Sequence, residues 1–72
     1  MIEKKIRAFM TRRGIKFTPA ARAINMAPSV FSAIMRGKRK IKADEFMALL
    51  SFLEVTAEEL NNEPVEEERS AS

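Results

Sequence analysis

Residues 17–36 read FTPAARAINMAPSVFSAIMR, and their spacing predicts two short helices joined by a tight turn. Thr18 followed by Pro19 has the form of an N-cap and a first helical position, where proline's fixed φ and missing N–H cost nothing. Ala20 to Ile24 continue as helix formers, and Asn25 is placed to stop them because asparagine tolerates left-handed backbone. Pro28 then opens a second helix, Pro28 to Arg36, in which Phe31 and Ile34 share a face, and Gly37 closes it. Small Ala21 lets the second helix approach the first closely. Met26, Phe31 and Ile34, with Ala20 and Ile24, form the inner face that fixes the pair to the rest of the chain. These are the three requirements of a helix-turn-helix: a small residue at the crossing, a turn residue tolerant of positive φ, and apolar residues at set intervals.

Outward from this unit the helical pattern continues on both sides. Ile2, Ile6, Phe9 and Met10 fall at i, i+4, i+7, i+8 in residues 2–13, and Gly14 ends that run. Lys38 to Lys42 form a basic loop around Ile41. From Ala43 to Leu53 the period resumes, with Asp44 and Glu45 in a first turn where negative charge complements the helix dipole. Thr56, Ala57, Glu58, Glu59 has the form of a capping box ahead of Leu60. Neither an internal repeat nor a strand-like alternation is present. The fold class expected is therefore all-α, a compact bundle of five short helices, with residues 1–62 as the folded domain and 63–72 as an acidic tail whose one large apolar residue, Val65, points to disorder.

Composition narrows the function. Seventy-two residues make one domain that buries only about 60% of its unfolded surface. With no cysteine and no histidine, disulfides, thiolate metal sites and the commonest acid–base catalyst are missing. No glycine-rich phosphate loop is present, so the chain reads as neither an enzyme nor a metal- or cofactor-binding protein. No apolar run is long enough to span a membrane, and Glu3, Lys4, Lys5 and Arg7 stand where a signal peptide needs its apolar core; a soluble, cytoplasmic protein is expected. The net charge of +3 conceals a strong polarity: residues 1–43 hold twelve Lys/Arg against Glu3 alone, and residues 44–72 hold nine acids against Arg69. Such segregation points to a polyanionic partner for the first part.

Taken together, AARAINMAPSVFSAIMRGKRKI (20–41), Gly37 with its basic followers, and FMALLSFLEVTAEEL (46–60) resemble the phage Cro and repressor family, the lambda-repressor-like helix-turn-helix domains. The resemblance covers roughly residues 3–60. It implies a transcriptional regulator, in the mould of a phage or plasmid repressor, that binds double-stranded operator DNA. Carried across, it makes Pro28 to Arg36 the recognition helix, with Pro28, Ser29, Ser32 and Ala33 facing the bases. Arg36, Lys38, Arg39, Lys40 and Lys42 would contact phosphates, and Arg12, Arg13, Lys16 and Arg22 would extend that surface. The chain departs from the family in four places. The recognition helix lacks the glutamine, asparagine or arginine that reads base edges. Phe17 stands where many members carry a phosphate-anchoring glutamine. Asn25, and Glu54 after the fourth helix, occupy turn positions where glycine is common.

Two features bear on partners. At 100° per residue the apolar side chains of residues 46–53 span about 220°, wider than one core contact needs. Phe52 is therefore expected outside the monomer core, forming with Val55 a symmetric homodimer contact; the alternative is that it packs under the last helix near Leu60. Met10, Met26, Met35 and Met47 are expected as core fillers rather than a binding surface. The second functional reading keeps the fold but replaces DNA by another regulatory protein, as an anti-repressor, repressor modulator or antitoxin would. The acidic tail is expected to be solvated, or to fold back on the basic face and compete with DNA.

Overall fold

In the structure, a computed structural model that describes residues 2–65, the chain forms five short helices. The helices are α1 (Ile2–Arg13), α2 (Phe17–Ala23), α3 (Pro28–Met35), α4 (Ala43–Leu53) and α5 (Ala57–Asn61). The described residues contain no strand. The expected all-helical bundle is what forms.

Four of the five helices leave through the same device, a residue at positive φ whose successor bonds back five residues. Gly14 (φ 70°), Asn25 (58°), Gly37 (76°) and Glu54 (57°) occupy the left-handed position. The next amide in each case donates to a carbonyl of the last turn: Ile15 N to Met10 O at 2.9 Å, Met26 N to Ala21 O at 2.8 Å, Lys38 N to Ala33 O at 2.9 Å and Val55 N to Leu50 O at 3.2 Å. This closure satisfies carbonyls that would otherwise be orphaned at the helix end. Ile15, Met26 and Val55 are half-buried against the core, so three of these four exits are also tied down by packing, whereas Lys38 is exposed.

The N-termini are less uniform. At α5 the full capping box forms, with Glu59 N donating to Thr56 Oγ1 at 3.0 Å and Thr56 N to Glu59 Oε1 at 2.9 Å. At α4 only half of it exists: Lys42 N donates to Glu45 Oε1 at 2.9 Å, and the lysine side chain has no acceptor to offer in return. The start of α2 differs from the sequence expectation. Lys16, not Thr18, is the N-cap residue, and Pro19 lies third in the helix. Proline is tolerated there because the first amides of a helix have no intrahelical acceptor. Phe17 is drawn into the first turn by its ring, which meets Phe31 edge-on at 5.7 Å between centroids.

The core is built around α3. Phe31 and Ile34 are fully buried, as are Ile6 and Met10 of α1, Ala20 and Ala21 of α2, Leu49 of α4 and Leu60 of α5. Two alanines with no exposed surface at the α2–α3 crossing agree with the close approach that Ala21 predicted. On α4 the wide apolar arc divides. Leu49, Leu50 and Leu53 are buried, whereas the residues at its two edges, Phe52 and Met47, are 40% and 65% exposed. Phe52 thus lies partly outside the core, as expected, but Met47 does not fill the core as Met10 and Met35 do. It sits at one edge of the arc, outside the Leu49, Leu53 and Leu50 face that packs inward.

The first and last helices form a seam. Lys5 Nζ donates to the carbonyl of Asn61, and Arg12 Nε faces Glu63 Oε2 at 3.3 Å. Glu63, expected in the solvated tail, is instead half-buried, because its partner cation is supplied by a helix some fifty positions earlier. Of the rest of the expected tail, Pro64 and Val65 join no helix, and residues 66–72 lie outside the described residues. No helix among the described residues is long and apolar enough to cross a membrane.

Candidate nucleic-acid interface

The face of α3 opposite Phe31 and Ile34 carries the four residues expected to meet bases. Pro28 and Ser29, in its first turn, are exposed; Ser32 and Ala33, one turn further on, are half-buried. This surface is small and nearly uncharged. Its donors are two hydroxyls, each able to bond one base edge without the paired geometry of an amide or guanidinium.

Cations surround it unequally. Lys16, at the N-cap of α2, and Arg22, in its last turn, are exposed, as are Arg36, Lys38, Lys40 and Lys42 after the core of α3. Among the described residues none of these pairs with a carboxylate. Arg39 is different. Its two terminal nitrogens hold the two oxygens of Glu45 at 3.2 and 3.1 Å, so the guanidinium is half-buried and already has an anionic partner. The paired guanidinium and the Lys42 amide hold the Glu45 carboxyl below the usual carboxylate range. Arg12 and Arg13 are also occupied: Arg12 faces Glu63, and the Arg13 guanidinium lies over the Phe9 ring, 4.6 Å from its centroid.

The basic loop is fixed from below by Glu3, which in the sequence is only an isolated acid among the cations of residues 1–43. Glu3 is buried on the first turn of α1, and its Oε2 accepts the backbone N–H of Ile41 at 2.9 Å. Between α1, the end of α3 and this loop lies a cleft of about 120 Å³ lined by Glu3, Lys4, Arg7, Met35, Arg36, Gly37, Arg39 and Lys40. In the sequence Lys4 and Arg7 count only toward the basic balance of residues 1–43 and against a signal peptide. Their i, i+3 spacing puts them on one side of the helix, but nothing local tells which element that side meets.

No family model, curated protein or solved structure matches the chain. Among the described residues no group of three acidic, histidine or cysteine side chains is placed to hold a metal ion.

Proposed function

We propose that the protein is a DNA-binding transcriptional regulator of the Cro/repressor type, acting in the cytoplasm by occupying operator DNA and performing no chemistry of its own. The observation that carries this reading is the α2–α3 pair. Its crossing is closed by Ala20 and Ala21, its turn by Asn25 at positive φ, and its exposed side at Pro28 and Ser29 is flanked by cations that no carboxylate neutralises among the described residues. In this reading α3 lies in the major groove while Lys16, Arg22, Arg36, Lys38 and Lys40 contact phosphates, with Arg39 joining only by leaving Glu45. With few base-edge donors on α3, affinity comes mainly from the backbone, and sequence preference comes from thymine methyls meeting Ala33 or Val30 and from DNA shape.

The exposed Phe52 ring, with Val55, supports a homodimer that presents two recognition helices to half-sites about one helical turn, or 34 Å, apart. The sparse polar surface of Ser29, Ser32 and Ala33 favours the second reading, in which α3 meets another regulatory protein. Binding of random duplexes by fluorescence anisotropy at two or more salt concentrations tests the proposal. Six phosphate contacts give a slope of log K on log salt of roughly −5. A slope near zero, or no binding of any duplex at low salt, would favour the protein partner instead.

A further inference from the structure

The cleft between α1 and the α3–α4 loop has a charge distribution that the packing of the fold does not require. Lys4, Arg7, Arg36, Arg39 and Lys40 line it, against Glu3 and the Glu45 bound to Arg39; five cations and two carboxylates leave a balance of +3. Both carboxylates are engaged in holding the scaffold. Glu3 pins Ile41 to α1, and Glu45 pins Arg39 and the Lys42 amide to the start of α4. Lys4, Arg7, Arg36 and Lys40 are exposed and pair with no carboxylate among the described residues. Favourable interaction with the C-terminal end of α3 accounts for Arg36, but not for two cations brought in by a different helix. Buried Met35 gives the cleft an apolar lining.

We infer that this cleft is a binding site for a phosphate-bearing anion of two or more charges, held by Lys4, Arg7, Arg36 and Lys40. The two guanidiniums supply forked donors that match phosphate oxygens, and the two ammoniums add point charges. Because Glu3 and Glu45 tether the loop on both sides, the cations are presented without ordering a mobile segment, which favours binding. The phosphate comes either from a duplex backbone or from a free polyphosphate such as a nucleotide. The site shares Arg36 and Lys40 with the proposed phosphate contacts, but it lies at the end of α3 opposite Pro28, about 10 Å along the helix, and adds Lys4 and Arg7 from α1.

Titration of ¹⁵N-labelled protein with sodium pyrophosphate, at ionic strength held constant with chloride, tests the site without DNA. Saturable one-to-one shifts centred on the amides of Lys4, Arg7, Gly37 and Lys40 are expected. The double variant Lys4→Gln/Arg7→Gln should weaken binding by about tenfold or more, while Lys16→Gln/Arg22→Gln, with the same loss of charge, should change it by less than about threefold. Non-saturating shifts spread over all lysines and arginines, or equal weakening by both pairs, would overturn the inference. Adding duplex to the pyrophosphate-loaded protein then distinguishes the sources. Displacement assigns the cleft to backbone phosphate; simultaneous binding, or failure of any duplex to bind, assigns it to a free polyphosphate and leaves the site standing.

Discussion

The carboxylate of Glu3 accepts the backbone N–H of Ile41 at 2.9 Å, across 38 positions of chain. It is the only acid in the first 43 residues, and it is buried at the junction of α1 with the basic loop. Removing the acceptor leaves the amide without a partner in a half-buried setting, at a cost of about 1–3 kcal/mol. Glu3→Ala should lower the urea midpoint accordingly and speed hydrogen exchange at Ile41. Glu3→Gln, which keeps an acceptor oxygen, should lose less. An unchanged midpoint and exchange rate in Glu3→Ala would show that the loop is held by other contacts.

Glu54 adopts φ 57° to let Val55 bond back to Leu50, a conformation that costs a side chain with a Cβ roughly 1 kcal/mol. Glu54→Gly should therefore raise stability by up to about 1 kcal/mol, the gain being reduced by the greater freedom of glycine in the unfolded chain. In a domain of this size that corresponds to a rise in Tm of about 4–8 °C at most. Glu54→Val should move Tm the other way, because a β-branched residue is least suited to this backbone.

Acid should weaken the anchor between the basic loop and α4. Arg39 and the Lys42 amide stabilise the ionised form of Glu45, so its carboxyl titrates lower in the folded than in the unfolded chain. The stabilisation is complete above the unfolded value, about 4.3, and is lost as pH falls through the lower folded value. Urea midpoints followed from about pH 6 down to about pH 3 should fall more steeply for the native chain than for Glu45→Gln. At neutral pH the pair, being partly solvated, contributes no more than about 1 kcal/mol.

Phe52→Glu places a charge on the exposed edge of α4 without touching Leu49 or Leu53. If two copies meet there, sedimentation at micromolar concentration should give a dimer mass for the native chain and a monomer mass for the variant, with the helical circular dichroism of both the same. An unchanged mass excludes this contact. Met47→Glu, at the other edge of the same arc, should leave the mass as it is.

Much of the architecture is written in local signals. Pro28, Gly14, Gly37 and the Thr56 box mark helix ends through backbone constraints that act within a few residues, and the structure places ends at each of them. Asn25 is legible for the same reason. Thr18 misled because a cap is chosen by competition: the Phe17–Phe31 ring contact outweighs a hydroxyl, and α2 begins one residue before Thr18. Met47 misled because periodicity gives the arc but not which edge the rest of the fold covers. The exposed side of α3 could be read from Phe31 and Ile34. Neither the partnership of Lys4 and Arg7 with Arg36 and Lys40 nor the anchoring of Ile41 by Glu3 could be, because each is made between segments more than 25 positions apart.

The seam between α1 and α5 also has a temporal meaning. Lys5 reaches the Asn61 carbonyl across 56 positions, and Leu60 is wholly enclosed. Closing so large a loop carries more entropic cost than any contact within the α2–α3 pair. A chain emerging from the ribosome holds the residues of α1, α2 and α3 long before α5 is available. The α2–α3 pair can therefore assemble from residues made close together, whereas Lys5 and Arg12 wait for carbonyl and carboxylate partners made some fifty positions later.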